Sequence, residues 1–230
     1  MFKERSQLPE KMDQPDVPVA DIHQALRELE TINKLLGGYN VIFNALNKID
    51  FRDDVVSILD LGCGGGDILR AVADWAKKKK IKVKLTGIDW NPVMTSFAVA
   101  NAKDYPEITF KTMSIFDDAL LSEEAHITMN TLFCHHFSNE EIKVLLKRMM
   151  ELSSVAVIIN DLHRNWFAYY SIKYITAVFS KTYLVKYDAP LSVARSLSRK
   201  EWEAILNDTG ASNYKLNWKW AWRWQIIIRK

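Results

Sequence analysis

The chain has 230 residues, 48% of them hydrophobic, which suffices for one packed domain with a small appendage. Its 31 basic and 28 acidic side chains leave a net charge of +3, too mild for the electrostatic footprint of a dedicated nucleic-acid binder. Two cysteines give no disulfide framework, no apolar run nears the ~20 residues of a membrane span, and the charged start MFKERSQLPE lacks the apolar centre of a secretion signal. A cytoplasmic protein without stable membrane insertion is the expectation.

Residues 1 to 18 are polar, carry Pro9, Pro15 and Pro18, and read as an arm on the surface. Asp21 is placed to N-cap a helix whose apolar residues are Ile22, Ala25, Leu26, Leu29, Ile32, Leu35 and Leu36, and which Gly37-Gly38 ends. A second helical stretch, Tyr39 to Lys48, leads to Val55-Val56-Ser57-Ile58-Leu59, a short β-branched run that reads as a buried strand ended by Asp60. Gly62, Gly64, Gly65 and Gly66 follow, then a helix from Asp67 to about Lys80. Its Lys77 to Lys80 run suits a solvated C-terminal turn. Strand, glycine turn and helix start bring bare backbone up to a ligand. The dinucleotide spacing G-x-G-x-x-G fails, because Asp67 and Leu69 stand where its third glycine would be. D-x-G-x-G-x-G fits, on Asp60, Gly62, Gly64 and Gly66.

Lys82 to Ile88 forms the second strand, closed by Asp89, 23 residues after Gly66. An acidic residue about 20 positions beyond such a turn accepts from ribose hydroxyls. Ile108 to Met113, Ile127 to Leu132 and Val155 to Ile159 are the third, fourth and fifth strands. Ser138 and Glu141 form a capping box for the helix to Leu152. Trp166 to Phe179 reads as a nearly continuous apolar helix, and Tyr183 to Leu197, with Asp188 and Pro190, as irregular. A second capping box, Ser198 with Glu201, opens a helix to about Asn207. Ser212 to Lys219 and Trp222 to Ile228 read as a closing hairpin. The β-α alternation predicts an α/β fold with a doubly wound parallel sheet.

The motif on Asp60, Gly62, Gly64 and Gly66 resembles the first motif of the class I, S-adenosylmethionine (SAM)-dependent methyltransferases, and GIDWNPVM at 87–94 resembles their second. LRELETINKLLGG at 26–38 is similar to the N-terminal lid helix of a bacterial, ubiquinone/menaquinone-type subgroup that often accompanies polyketide synthases in secondary metabolism. The resemblance implies a single Rossmann-like, seven-stranded sheet with its last strand antiparallel. It divides the chain into an arm and lid over residues 1–50 and a SAM-binding domain over 51–230, with a helical insertion at about 164–197. It implies that Asp89 holds the ribose, that Trp90 covers the adenine, and that Ser114, Ile115 and Asn130 complete the cofactor set. The family usually has an acidic residue where Ser114 stands; a hydroxyl accepts the same hydrogen bond.

Methyl transfer from a sulfonium is an in-line displacement, so the enzyme aligns the partners and excludes water. A phenol-type acceptor, with a pKa near ~10, benefits from a base. His135, His136 and His163 fall at the ends of the fourth and fifth strands, and histidine titrates near neutrality. His163, in NDLHR, is the expected base or substrate anchor, with Asp161 or Asp188 to orient it and His136 as the second choice. His135, Arg195, Asp188, Trp166 and Trp220 are the expected acceptor contacts. The adjacent histidines lack i, i+4 zinc spacing, and no metal is assigned. The expected function is methyl transfer from SAM to a small, hydrophobic, hydroxylated molecule, at oxygen or, alternatively, carbon. An RNA or protein methyltransferase and a non-catalytic nucleotide-binding module are the competing readings.

Overall fold

The computed structural model describes residues 2–51 and 53–230. Seven strands, β1 (Val55–Leu61), β2 (Lys82–Asp89), β3 (Ile108–Thr112), β4 (Ala125–Thr131), β5 (Ser153–Leu162), β6 (Tyr214–Lys219) and β7 (Arg223–Arg229), form one sheet in the order β3-β2-β1-β4-β5-β7-β6. The first five run parallel, and β7 is antiparallel to both β5 and β6. The chain winds outward from β1 to β3, then returns to build β4 and β5 on the other side. The crevice at that reversal, beyond the carboxyl ends of β1 and β4, is where open α/β sheets bind ligands.

Alternate residues of β1 feed two cores. Val56 and Ile58 pack under α2 (Gly38–Leu46) and α3 (Asp67–Lys79), against Leu69, Val72 and Trp75. Leu59 and Leu61 face α5 (Asn139–Leu152) and α8 (Arg199–Asp208), against Leu145, Leu146 and Trp202. This is the two-residue period of a strand buried on both faces. Both capping boxes form, Ser138 with Glu141 and Ser198 with Glu201. Among the described residues, no helix is long and apolar enough to cross a membrane.

Four expectations change. First, α1 (Val19–Leu35) starts before Asp21, which lies in its first turn and whose N–H already bonds Pro18 O at 3.0 Å. Second, the stretch expected to be irregular is a helix, α7 (Tyr183–Arg195), capped by Thr182 and burying Leu184, Val185, Leu191 and Val193. Pro190 sits inside it, where burial of that apolar face outweighs one lost backbone bond. Third, β5 runs on to Leu162, so Asn160 and Asp161 lie within the sheet. Fourth, the arm is not a surface appendage. Ser6 N–H bonds Ala194 O at 3.0 Å, Arg5 reaches the carbonyls of His135, Phe137 and Arg195, and Glu10 is buried. Arg164 fastens the arm's start through the carbonyls of Phe2 and Lys3. The inserted helix α6 (Trp166–Phe179) forms where expected and packs on α7.

Candidate active site

A cavity of about 530 Å³ opens at the reversal point. The glycine turn and Asp89 line one end, α1, α6 and α7 roof it, and the arm closes it with Glu10, Met12 and Asp13. The turn has a separate reason for each glycine. Gly62, Gly64 and Gly66 all sit at positive φ (+74°, +49° and +69°), which L side chains rarely adopt. A Cβ on Gly62 would lie 2.2 Å from Phe133 Cδ2, and one on Gly66 2.7 Å from Phe110 Cζ. A Cβ on Gly64 would meet nothing within 4 Å, and Gly64 lines the cavity. Gly62 and Gly66 are therefore packing requirements, and Gly64 keeps space free for a ligand. Asp89 fixes the turn: its Oδ2 accepts from Gly64 N–H and its Oδ1 from Asn91 N–H, both at 2.9 Å. Each oxygen keeps a lone pair for a sugar hydroxyl.

Asp60 stands behind the turn at 1% exposure, and its Oδ1 has no partner. Burial, with Asp67 and Asp89 nearby, holds its pKa well above the usual carboxylate range. Asp67 accepts from Tyr39 Oη at 3.0 Å and Asn33 Nδ2 at 3.3 Å, and burial raises its pKa too. A buried acidic wall with an orphaned oxygen calls for a cation or a donor. SAM fits this requirement: it carries a sulfonium, an ammonium group and a ribose. Asp60, Gly62, Gly64, Asp89, Trp90, Ser114 and Ile115 all line the cavity. Gly66 instead caps α3. Asn130 is fully buried and does not line the cavity; its Nδ2 lies 3.4 Å from both Cys134 Sγ and Met149 Sδ.

In the same cavity the arm meets the two histidines of the turn after β4. His135 Nδ1 donates to Asp161 Oδ1 at 2.7 Å, and its Nε2 lies 3.5 Å from Glu10 Oε1. Burial opposes charge on this ring, but Asp161 and Glu10 outweigh it and push its pKa up to about 10. In turn, despite burial, Glu10 is drawn down to about 2 by His136, His135 and Ser192. His136 Nδ1 lies 2.9 Å from Asp13 Oδ2, and its Nε2 lies 3.9 Å from Glu10 Oε2. His136 lines the cavity, with Nδ1 on Asp13 and Nε2 towards Glu10. Glu10, His135 and His136 lie within 4.8 Å of one another. Carboxylates flank both rings, Asp161 and Glu10 on His135 and Asp13 and Glu10 on His136.

Asp188 also lines the cavity, but its two oxygens hold the arm, accepting Lys11 N–H at 2.7 Å and Met12 N–H at 3.0 Å. Burial lifts its pKa to about 6 against those two bonds. Five other expected site residues lie outside the cavity lining. His163 turns away from the cavity onto Trp224, 4.6 Å between ring centres, and burial lowers its pKa. Asp161 orients His135, not His163, and lies behind the cavity wall. Arg195 spends its guanidinium on the carbonyls of Leu8, His135 and His136, fastening arm to turn. Trp166 and Trp220 are exposed outside the cavity, and it is Trp222 that lines it. Sequence reasoning missed Glu10 and Asp13, for which a polar, proline-bearing arm gives no signal. It also missed Arg223, a cavity-lining residue hidden in a strand pattern.

A family described as "Methyltransferase domain" matches residues 58–156, the stretch from β1 into β5. A search of curated proteins by sequence finds no match. Among solved structures, the chain is similar to a protein of Methanococcus maripaludis described as a SAM-dependent methyltransferase, with TM-score 0.67, 17% identity, and 99% of this chain and 97% of that one covered. Human N-acetylserotonin methyltransferase in complex with SAM has TM-score 0.66 and 15% identity over 93% of this chain. The CMeT domain of the citrinin polyketide synthase has TM-score 0.59 and 14% identity over 80%. The chain spans only about half of these last two, 56% and 48% of their lengths. Residues 58–156 match the methyltransferase-domain family, and the chain as a whole has the fold of the class I methyltransferases.

Proposed function

We propose that this protein transfers the methyl group of SAM to a hydroxyl oxygen of a small, largely apolar molecule, with His136 as the base. The observation that carries this reading is the pairing of His136 with Asp13 at the wall of the cavity that the glycine turn also lines. When bound, SAM supplies a sulfonium methyl that needs no proton to leave. The chain's own tasks are alignment, exclusion of water and removal of the acceptor's proton. Asp89 and Gly64 set the cofactor end. Leu29, Ile32, Ile172, Ile175 and Val185 exclude water from the acceptor end. His136 Nε2 takes the hydroxyl proton, and Asp13 stabilises the imidazolium that results. His135, already protonated and held by Asp161, adds positive charge beside the developing oxyanion.

A hydroxylated aromatic of polyketide or quinone type suits this cavity. The likenesses to a polyketide synthase CMeT domain and to N-acetylserotonin methyltransferase support a small acceptor. The same base serves carbon methylation, by ionising a hydroxyl that activates a ring carbon. Incubating the protein with SAM and a panel of phenols, and reading products by mass and fragmentation, tests the proposal. Gain of one methyl on a phenol supports it. Methylation of RNA or protein, with every phenol inert, would overturn it.

A further inference from the structure

Arg223 opens β7 and is 2% exposed, yet it lines the cavity. Its Nε and Nη1 are buried without a hydrogen-bond partner, and among the described residues no ion pair reaches it. Arg195 and Arg164, by contrast, are saturated by carbonyls and, for Arg164, by Glu201. Burial pulls the Arg223 pKa down to about 10, with Asp161 and Asp67 opposing from a distance. It remains a cation at neutral pH. A guanidinium buried without partners is costly, and folded proteins keep such a group where a ligand completes it. Its fork of donors matches a carboxylate in a bidentate pair.

The position within the cavity narrows the ligand. Arg223 pairs in register with Leu162 at the end of β5, and Ala221, Trp222 and Ala168 line the cavity with it. Its neighbour Trp222 packs on Phe167 of α6, 5.2 Å between ring centres. We propose that Arg223 binds an anionic group, a carboxylate or phenolate, on the acceptor and so selects hydroxylated acids over neutral phenols. This rests on the methyl-transfer reading and adds the charge of the substrate to it. Sequence reasoning gave the anion-binding role to Arg195, whose donors are used up in the fold; Arg223 takes that role.

The alternative source of the same chemistry is the carboxylate of the cofactor's amino-acid tail, and the test separates the two. Protein saturated with S-adenosylhomocysteine (SAH) is titrated with salicylate and with its neutral isostere salicylamide, in wild type, Arg223→Met and Arg223→Lys. Wild type is expected to bind salicylate more tightly than salicylamide. Arg223→Met should lose salicylate by about thirty-fold or more and lose the discrimination, with SAH affinity unchanged. Arg223→Lys keeps the charge without the fork and should fall between them. Removing an unpaired buried charge should also raise the melting temperature of the ligand-free Met variant, which guards against a simple folding defect. Equal binding of both probes by wild type would overturn the proposal. So would loss of SAH affinity in Arg223→Met with salicylate unaffected, which would assign the guanidinium to the cofactor. Because binding is read on the SAH complex, methyl transfer can fail while this result stands, and the reverse.

Discussion

Gly64→Ala separates the two kinds of glycine in the turn. The backbone there has φ +49°, so a β-carbon costs about 1–2 kcal/mol of left-handed strain. Nothing in the protein lies within 4 Å of the added methyl, so no clash adds to this. For a chain of this size the melting temperature of the free protein should fall by roughly 2–8 °C, and the fold should persist. The methyl then occupies space reserved for the cofactor. Overpacking by one carbon costs about 1–3 kcal/mol, a roughly 5- to 150-fold loss of affinity for SAM and SAH. Gly62→Ala is the contrast: its Cβ would stand 2.2 Å from Phe133 Cδ2, so the free protein itself should be badly destabilised. Calorimetric titration beside thermal melts reads both quantities. Wild-type cofactor affinity in a folded Gly64→Ala protein would refute the claim that the turn is the cradle.

His136→Asn should lower turnover about 10²- to 10⁴-fold while SAH affinity barely moves, and His163→Ala should leave turnover intact; steady-state kinetics with SAH titration decides. Asp60→Asn should raise the melting temperature of the ligand-free protein at neutral pH, because a buried carboxylate with a raised pKa opposes folding once ionised, and should weaken SAM by about ten-fold or more. The His135 pKa is raised to about 10, so its contribution is complete below the ordinary histidine value of 6.5 and is lost as pH rises through about 10. Urea midpoints should therefore decline over that range, and Glu10→Gln should flatten the decline. Since carboxylates already engage both rings of the Glu10, His135 and His136 group, treatment with EDTA should leave initial rates unchanged; a fall restored by one divalent ion would contradict this.

The sheet was readable because its signals are local. Alternating apolar runs, capping boxes and glycines at fixed spacing each act within a few residues, and all seven of the expected cofactor residues that line the cavity sit at the ends of such runs or within three residues beyond them. The acceptor end was harder because long-range pairing builds it. Glu10 meets His135 and His136 over more than a hundred residues of chain, and nothing near Glu10 marks it. His163 looked functional by its place after the fifth strand. One extra turn of the pleat sends it to the opposite face, since β5 continues to Leu162. Arg195 and Arg223 were exchanged for a related reason. An arginine near a loop reads as available and one within a strand as structural, whereas burial and hydrogen-bond saturation decide which is free. The helix α7 was missed because Pro190 and Asp188 argue against a helix locally, and the apolar face that overrides them is visible only once α1 and α6 are in place.

The most direct test of the central claim is a crystal structure of the protein with SAH. The account predicts the ribose on Asp89, main chain from Gly64 against the nucleoside, and the sulfur facing His136 across the cavity. SAH bound anywhere else, or its sulfur pointing away from His136, would contradict it.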